Sequence, residues 1–356
     1  MTSIRLTLAA AFVAGAAGTA SAGLQGIVFT SQQQNAVRFL DSTGSVSTLY
    51  ASVNPDTRFA NVTAGPTGEL YVADGRLPFP NTTDAGILRI DMPFSGSASA
   101  SYLTQGNPLQ NPVGLTYDSV SGNLLTVSNP GSPVTGDTID GIFSVSLGGA
   151  TSPIFVEDNN ATGVRFDDGF GLARANGSND FFVTAVNGGS FDAGGVDGRS
   201  STIWRMEYNA GSGDYALAND PVVDFADAFT GFGSDLTNIR GIATVPGSDS
   251  IWVTDFDNGS ILRVDLASDG SFSSVSLVAS NLAQPETIVY NPLTGKLVFS
   301  ERGDLTDSRI SSIAIDGSGY EVLLEGEHAR GFYIVPAPGS AALLALAGFA
   351  ATRRRR

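Results

Sequence analysis

Cysteine is absent from all 356 residues, which removes disulfides, thiolate metal sites, iron–sulfur clusters and cysteine nucleophiles together. Histidine occurs once, at His328, so a zinc site of several imidazoles is impossible and any Ser-His-Asp triad has to use that residue. Lysine also occurs once, at Lys296. Charged residues make up 15% of the chain, well below the roughly 25% of an average soluble domain. Apolar runs between the two ends are short, which argues against bundled helices and coiled coils. What the chain has in quantity is glycine, 43 residues, and 42% hydrophobic residues. That is the composition of many short strands joined by tight turns around a sizeable core.

The charge that is present is mostly negative: 35 Asp and Glu against 19 Lys and Arg, a net of −16. Arg5 and Arg353 to Arg356 lie in terminal segments that hold no acid, so residues 23–335 carry 14 basic and 35 acidic groups, a net of −21. Such a surface repels phosphate backbones and disfavours nucleic acid as a partner. It suits cations, saline surroundings or plain solubility.

Residues 1–22 have the pattern of a secretory signal peptide: Arg5, an apolar stretch from Leu6 to Gly18, and Ala20-Ser21-Ala22 before Gly23. At the other end, Val335-Pro336-Ala337-Pro338 leads into an apolar run from Ala341 to Ala351, then Thr352 and four arginines. The run is short for a spanning helix, which takes about 20 residues, and the arginines would stay on the cytoplasmic side. This tripartite tail over 336–356 resembles the PEP-CTERM sorting signal of Gram-negative bacteria, with Ala337 where that motif has Glu. The resemblance implies handling by exosortase-like sorting machinery and delivery to the cell surface or extracellular matrix, the membrane segment being transient or anchoring. An ordinary C-terminal membrane anchor is the alternative.

Between the ends, one unit recurs. Its clearest copy is 238–280: a strand over 238–244, a second over 251–255, a hairpin turn at Asn258-Gly259, a third over 260–266 and a fourth over 275–279. The same order is expected at 61–64, 70–74, 87–91 and 98–103; at 114–117, 124–128, 141–146 and 153–157; at 171–173, 181–185, 202–207 and 221–225; and at 287–290, 297–301, 310–315 and 321–324. Residues 27–51 supply a second, third and fourth strand without a first, and 331–335 a first without successors. The two ends therefore complete one blade. The expected fold is all-β, a six-bladed β-propeller over 23–335 closed by N- and C-terminal strands in one blade. Closure leaves no long unpaired edge.

The segments GIATVPGSDSIWVTDFDNGSILRVDL (241–266) and GKLVFSERGDLTDSRISSIAIDGSGYEVLL (295–324) resemble repeats of the NHL, YWTD and SMP-30 group of six-bladed propellers. In the second, Phe299-Ser300-Glu301 stands where the YWTD family has Trp-Thr-Asp. By that resemblance Asp74 and Asp255, at the ends of second strands, are structural and bond the next blade's backbone. Trp204, Trp252 and Phe182 read as core. Asp255 to Gly259 begins like an EF-hand loop, but its twelfth position is Leu266, so it is a hairpin turn.

First strands line the channel, and the loops joining second to third strands emerge where first strands begin. The longest insertions, 75–85, 130–140, 187–201 and 302–309, fall in those loops and mark that end as a binding face or as cover for the channel. Two rings of side chains are expected there. The outer is Arg58, Asn111, Asp168, Asn238, Gln284 and His328; the inner is Ala60, Val113, Phe170, Arg240, Glu286 and Arg330. The oxygens of Asn111, Asp168, Asn238 and Gln284, with Glu286, suit a hard cation such as Ca²⁺, or else serve as hydrogen-bonding caps. Arg240, Glu286 and Arg330 read as an ion-pair triad or a site for an anionic group or sugar acid.

These residues support an exported binding or scaffold module with polysaccharide, another surface protein or Ca²⁺ as partner. The alternative is a metal-dependent hydrolase, a lactonase like SMP-30. In that family a Glu, an Asn and an Asp hold the metal, and here Val113 and Arg240 occupy the latter two positions. A lyase of streptogramin type would rest on His328.

Overall fold

The fold is seen in a computed structural model that describes residues 25–76, 83–129, 141–156, 166, 169–186, 201–225, 238–304 and 307–336. The expected signal peptide, almost all of the expected sorting segment, Asp168 and most of the insertions at 130–140 and 187–201 lie outside those residues. Among the described residues no helix is long and apolar enough to cross a membrane.

The residues from Gly26 to Ile334 form one compact unit. Its described strands make six antiparallel sheets, the blades of a β-propeller. Blade 1 is Phe59–Ala64, Leu70–Asp74, Gly86–Asp91 and Ser99–Gln105; blade 2 is Pro112–Asp118, Asn123–Ser128, Gly141–Val145 and Thr151–Val156. Blade 4 is Ile239–Thr244, Ser250–Asp255, Ser260–Leu266 and Phe272–Ala279; blade 5 is Pro285–Asn291, Lys296–Glu301, Arg309–Ala314 and Glu321–Glu325. Blade 6 joins Ala329–Val335 to Gly26–Ser31, Ala36–Asp41 and Val46–Ala51, so the two ends of the unit share one sheet, as the incomplete repeats require.

Blade 3 departs from expectation. Its first three strands are Gly169–Arg174, Phe181–Ala185 and Thr202–Asn209, but its outer strand is broken in two. Asp214–Leu217 pairs one half of the third strand and Val223–Asp224 the other. Pro221 lies in the break; it has no N–H for a ladder and restricts Asp220 before it. Tyr215, in the piece the repeat pattern did not reveal, donates its hydroxyl to Asp118 of blade 2 at 2.9 Å.

The pattern of burial explains the sequence pattern. Second strands are covered on both faces by the adjoining blades, and Leu70–Asp74, Phe181–Ala185 and Ser250–Asp255 are buried throughout. They therefore read as near-continuous apolar runs rather than alternating ones. Outer strands such as Val46–Ala51 have no fully buried residue and are partly open to solvent. The core is divided among the joints between blades. One cluster runs from Ala60 and Tyr71 through Leu125 and Phe143 to Trp204; another closes the ring through Phe29, Val298, Ile310 and Phe332.

Innermost strands approach one another closely around the channel, and two glycines make this possible. A Cβ on Gly171 would lie 2.7 Å from the carbonyl oxygen of Arg240 in the next blade, and one on Gly241 would lie 2.8 Å from the amide nitrogen of Ile288. Both contacts are to backbone, which has little freedom to move aside.

Candidate functional site

At the end where innermost strands begin, each of blades 1 to 5 carries one extra residue in that strand. Phe59 pairs Asp74 and Val62 pairs Val72; Ile239 pairs Asp255 and Ile242 pairs Val253; Pro285 pairs Glu301 and Ile288 pairs Phe299. The same shift occurs between Pro112 and Gly114 and between Gly169 and Leu172. The inner-ring positions Ala60, Val113, Phe170, Arg240 and Glu286 all fall within these bulges. A bulge bends the strand and re-aims the side chains it carries.

Hydroxyls at the ends of the second strands hold the bulges in place. Thr254 Oγ1 accepts from the Gly241 N–H at 2.8 Å and donates to the Glu286 carbonyl at 3.1 Å. Thr184 does the same between Gly171 and the Arg240 carbonyl, at 2.8 and 2.6 Å. The backbones of Arg240 and Glu286 are thus tied from the preceding blade. The carboxylates next in sequence behave differently from the resemblance-based expectation. Asp255 Oδ1 accepts from the Asn238 N–H at 3.2 Å and Asp74 Oδ1 from the Arg58 N–H at 2.9 Å. Both residues are structural, but each bonds its own blade; in blade 4 the link to the next blade comes from Thr254, whereas blade 1 has Ala73 at that position.

On this frame the structure assembles Arg240, Glu286, Arg330 and His328. Arg240 Nη1 and Arg330 Nη2 reach Glu286 Oε1 at 2.9 and 3.0 Å, and His328 Nε2 is 2.8 Å from Oε2. Glu286 is 5% exposed, Arg240 3% and His328 2%. Burial pushes the Glu286 carboxyl up, but Arg330, His328 and Arg240 outweigh it and hold its pKa well below the usual carboxylate range. Burial lowers the pKa of Arg240, and Glu286 opposes that.

Of the described members of the outer oxygen ring, Asn238 alone is shown joining this cluster. Its Oδ1 accepts from Arg240 Nε at 3.1 Å and its amide donates to Asp257 Oδ2 at 3.0 Å. The Asn111 amide donates to the Asn129 carbonyl. Gln284 is exposed, on a backbone with φ of 55°. A Ca²⁺ site needs six to eight oxygens facing one point. Here Glu286 presents its oxygens to the guanidiniums of Arg240 and Arg330 and to the His328 imidazole, and the Asn238 oxygen faces the same Arg240 guanidinium. As arranged here, Glu286 and Asn238 turn their oxygens to nitrogen groups and do not fit a hard cation, while Asp168 of the expected set lies outside the described residues. Among the described residues no group of three or more His, Asp or Glu converges to hold a metal.

Three further residues, two of them arginines, complete the mouth. Phe256 packs under Arg240, whose guanidinium carbon is 3.5 Å from the ring centroid, and the Arg302 guanidinium lies 5.8 Å from the same centroid. Arg58 has its pKa lowered by burial and by the nearby charges of Arg330 and Arg302. Neither Arg58 nor Arg302 has a carboxylate partner among the described residues. Sequence reasoning placed Arg58 in the ring without a role and missed Arg302 and Phe256, which follow directly on Glu301 and Asp255 at the ends of second strands. Among the described residues, the mouth thus brings four guanidiniums near the carboxylates of Glu286 and Asp257.

The Arg240–Glu286 layer also divides the channel. Beyond it lies a cavity of about 450 Å³, to which all six innermost strands contribute, including Asn61, Thr116, Leu172, Ile242, Thr287 and Tyr333. None of the ring residues lines it.

No protein-family model and no curated protein matches the chain. Solved structures do. A nidogen/laminin complex aligns with a TM-score of 0.61 at 10% identity, over 88% of this chain and 99% of that one. A gluconolactonase from Xanthomonas campestris aligns at 0.56 and 12% identity, over 89% and 95%. Regucalcin, a calcium-binding protein from Agrobacterium tumefaciens, aligns at 0.54 and 12% identity, over 89% and 92%. At these identities the likeness is one of fold, the six-bladed propeller.

Proposed function

We propose that this chain is an exported binding propeller of the cell surface or extracellular matrix, without catalytic activity, whose channel mouth takes an anionic group of its partner, a polysaccharide or a surface protein. The observation that carries this reading is the grouping of Arg58, Arg302 and Arg330 above a buried Arg240–Glu286 pair. Arg58 and Arg302 lack carboxylate partners among the described residues and repel one another. Guanidiniums held together without enough counter-charge are a standing demand for an oxyanion, which they meet with paired N–H···O bonds. The pattern of residues 1–22 and of the tail supports export.

Two enzyme readings fare worse on the same residues. A metal-dependent lactonase requires an oxygen-lined metal, and the mouth offers arginines and a carboxylate already engaged by them. A lyase resting on His328 requires an imidazole that reaches substrate, and this one is buried against Glu286.

The test is a thermal melt of the full-length protein with phosphate, citrate or galacturonate, and with glucose as the uncharged control. An anion bound only by the folded state raises the midpoint by mass action. The expected result is a rise of several degrees with anions, none with glucose, and loss of the rise when Arg58→Gln and Arg302→Gln are combined. Equal midpoints in all conditions would sink the proposal.

A further inference from the structure

Beyond the Arg240–Glu286 layer, the cavity of about 450 Å³ opens at the end of the channel opposite the arginine mouth, where Pro246 and Pro292 are exposed beside it. Its volume lies within the roughly 300–1,000 Å³ of small-molecule sites. All six innermost strands that wall it are described along their whole length. Blades 1, 2, 5 and 6 contribute Asn61, Thr116, Thr287 and Tyr333. The Asn61 oxygen accepts from the Val62 N–H at 2.7 Å. Neither the Asn61 amide nitrogen nor the hydroxyls of Thr116, Thr287 and Tyr333 bond to any described residue. Burial raises the pKa of Tyr333, so its hydroxyl stays a donor.

Blades 3 and 4 stand across the ring from blades 6 and 1, and their part of the wall is apolar: Leu172, Ala173, Ile242 and Ala243. The polar groups of that side are already engaged. Thr244 donates to the Arg174 carbonyl at 2.8 Å, and the Arg174 guanidinium reaches Asp118 and Asn179 at 3.3 and 2.9 Å. Among the described residues that line the cavity none is acidic, and Arg174 is the one cation. This division selects a kind of ligand. Water serves the polar side but gains nothing from the apolar one, whereas a molecule that covers both removes apolar surface from water and keeps the hydrogen bonds. An ionised ligand would lose hydration with no free counter-charge to replace it, and a wholly apolar one would strip water from four polar groups.

We propose that this cavity is a second binding site, for an uncharged amphipathic small molecule with hydroxyls along one edge and an apolar ring or chain that lies on blades 3 and 4. The site is separate from the arginine mouth, and the proposal does not rest on the anion reading of that mouth. Glucose, with hydroxyls around its whole ring and no apolar group, does not satisfy the apolar wall.

Calorimetric titration of the full-length protein with phenyl glucoside tests this, with glucose as the comparison. Phenyl glucoside is expected to bind with a Kd of about 1 mM or tighter, and glucose at least about tenfold more weakly. Thr116→Phe places a ring in the cavity and is expected to abolish binding. Thr116→Val combined with Thr287→Val keeps the cavity's shape, removes two hydroxyls and is expected to weaken binding by about tenfold. The melting midpoint shows that each variant is folded, and if Thr116→Phe does not fold the valine pair decides alone. Arg58→Gln with Arg302→Gln is expected to leave phenyl glucoside binding unchanged. In that same background phenyl glucuronide, which adds a carboxylate, is expected to bind at least about tenfold more weakly than the glucoside. No binding of phenyl glucoside, or binding that the Thr116 and Thr287 variants leave unchanged, overturns the proposal. Loss of phenyl glucoside binding in the arginine variant places the ligand at the mouth and overturns it as well.

Discussion

Arg240 and Glu286 stand on the innermost strands of neighbouring blades and meet at 2.9 Å, both almost wholly buried. The pair joins blades 4 and 5, and Arg330 and His328 extend it to blade 6, where the ring closes. Removing one partner strands the others. Glu286→Gln leaves the Arg240 guanidinium buried without a counter-charge, so the variant is expected to lose about 3–5 kcal/mol of stability. Denaturant unfolding measures this, and a loss below about 1 kcal/mol would show that the cluster is not buried as described.

The same carboxylate makes a pH signature. The folded pKa of Glu286 lies well below its unfolded value of about 4.3, so its contribution is complete above that value and is lost as pH falls through the folded pKa. The stability gap between the natural protein and Glu286→Gln is therefore expected to be flat above about pH 5 and to shrink below pH 4. A gap that widens on acidification contradicts the assignment. Asp255 runs the other way, since burial raises its pKa, and it does not produce this effect.

Thr254 is a positioning residue for the mouth. Thr254→Val removes the acceptor of the Gly241 N–H and the donor to the Glu286 carbonyl, at an expected cost of about 1–3 kcal/mol, whereas Thr254→Ser is expected to be close to neutral. The Val variant is also expected to bind galacturonate more weakly, because the bulges that carry Arg240 and Glu286 lose their tie. Equal stability and affinity in both variants would remove the hydroxyl from the account.

Calcium offers a fourth check. With Glu286 and Asn238 turned to nitrogen groups, the melting midpoint is expected to stay within about a degree between EDTA and millimolar Ca²⁺, since nothing that binds the folded state is gained or lost. A rise of several degrees with Ca²⁺ would restore the oxygen ring as a metal site.

The repeat from Asn238 to Ser280 and the unmatched strands at either end were enough to specify six blades and their closure. Turn residues such as Asn258-Gly259 and apolar second strands are local signals, repeated often enough to be read without a structure. The triad of Arg240, Glu286 and Arg330 was also legible, because equivalent positions on neighbouring first strands must converge on the channel. The split outer strand of blade 3 was not, since Asp214–Leu217 is too short to show more than one alternation and is held by Tyr215 against another blade.

What the sequence determined by itself, then, is the architecture and which positions face the channel mouth, because strand period and turn chemistry are properties of neighbouring residues. What only the tertiary structure decided is the chemistry of that mouth. The bulge that turns Glu286 towards Arg240, the threonine that spans two blades, and the approach of Arg58 and Arg302 to Arg330 are relations between residues far apart in the chain. Whether Glu286 holds a cation of the solvent or a guanidinium of its own protein depends on distances of about 3 Å between blades, and such distances are fixed by packing.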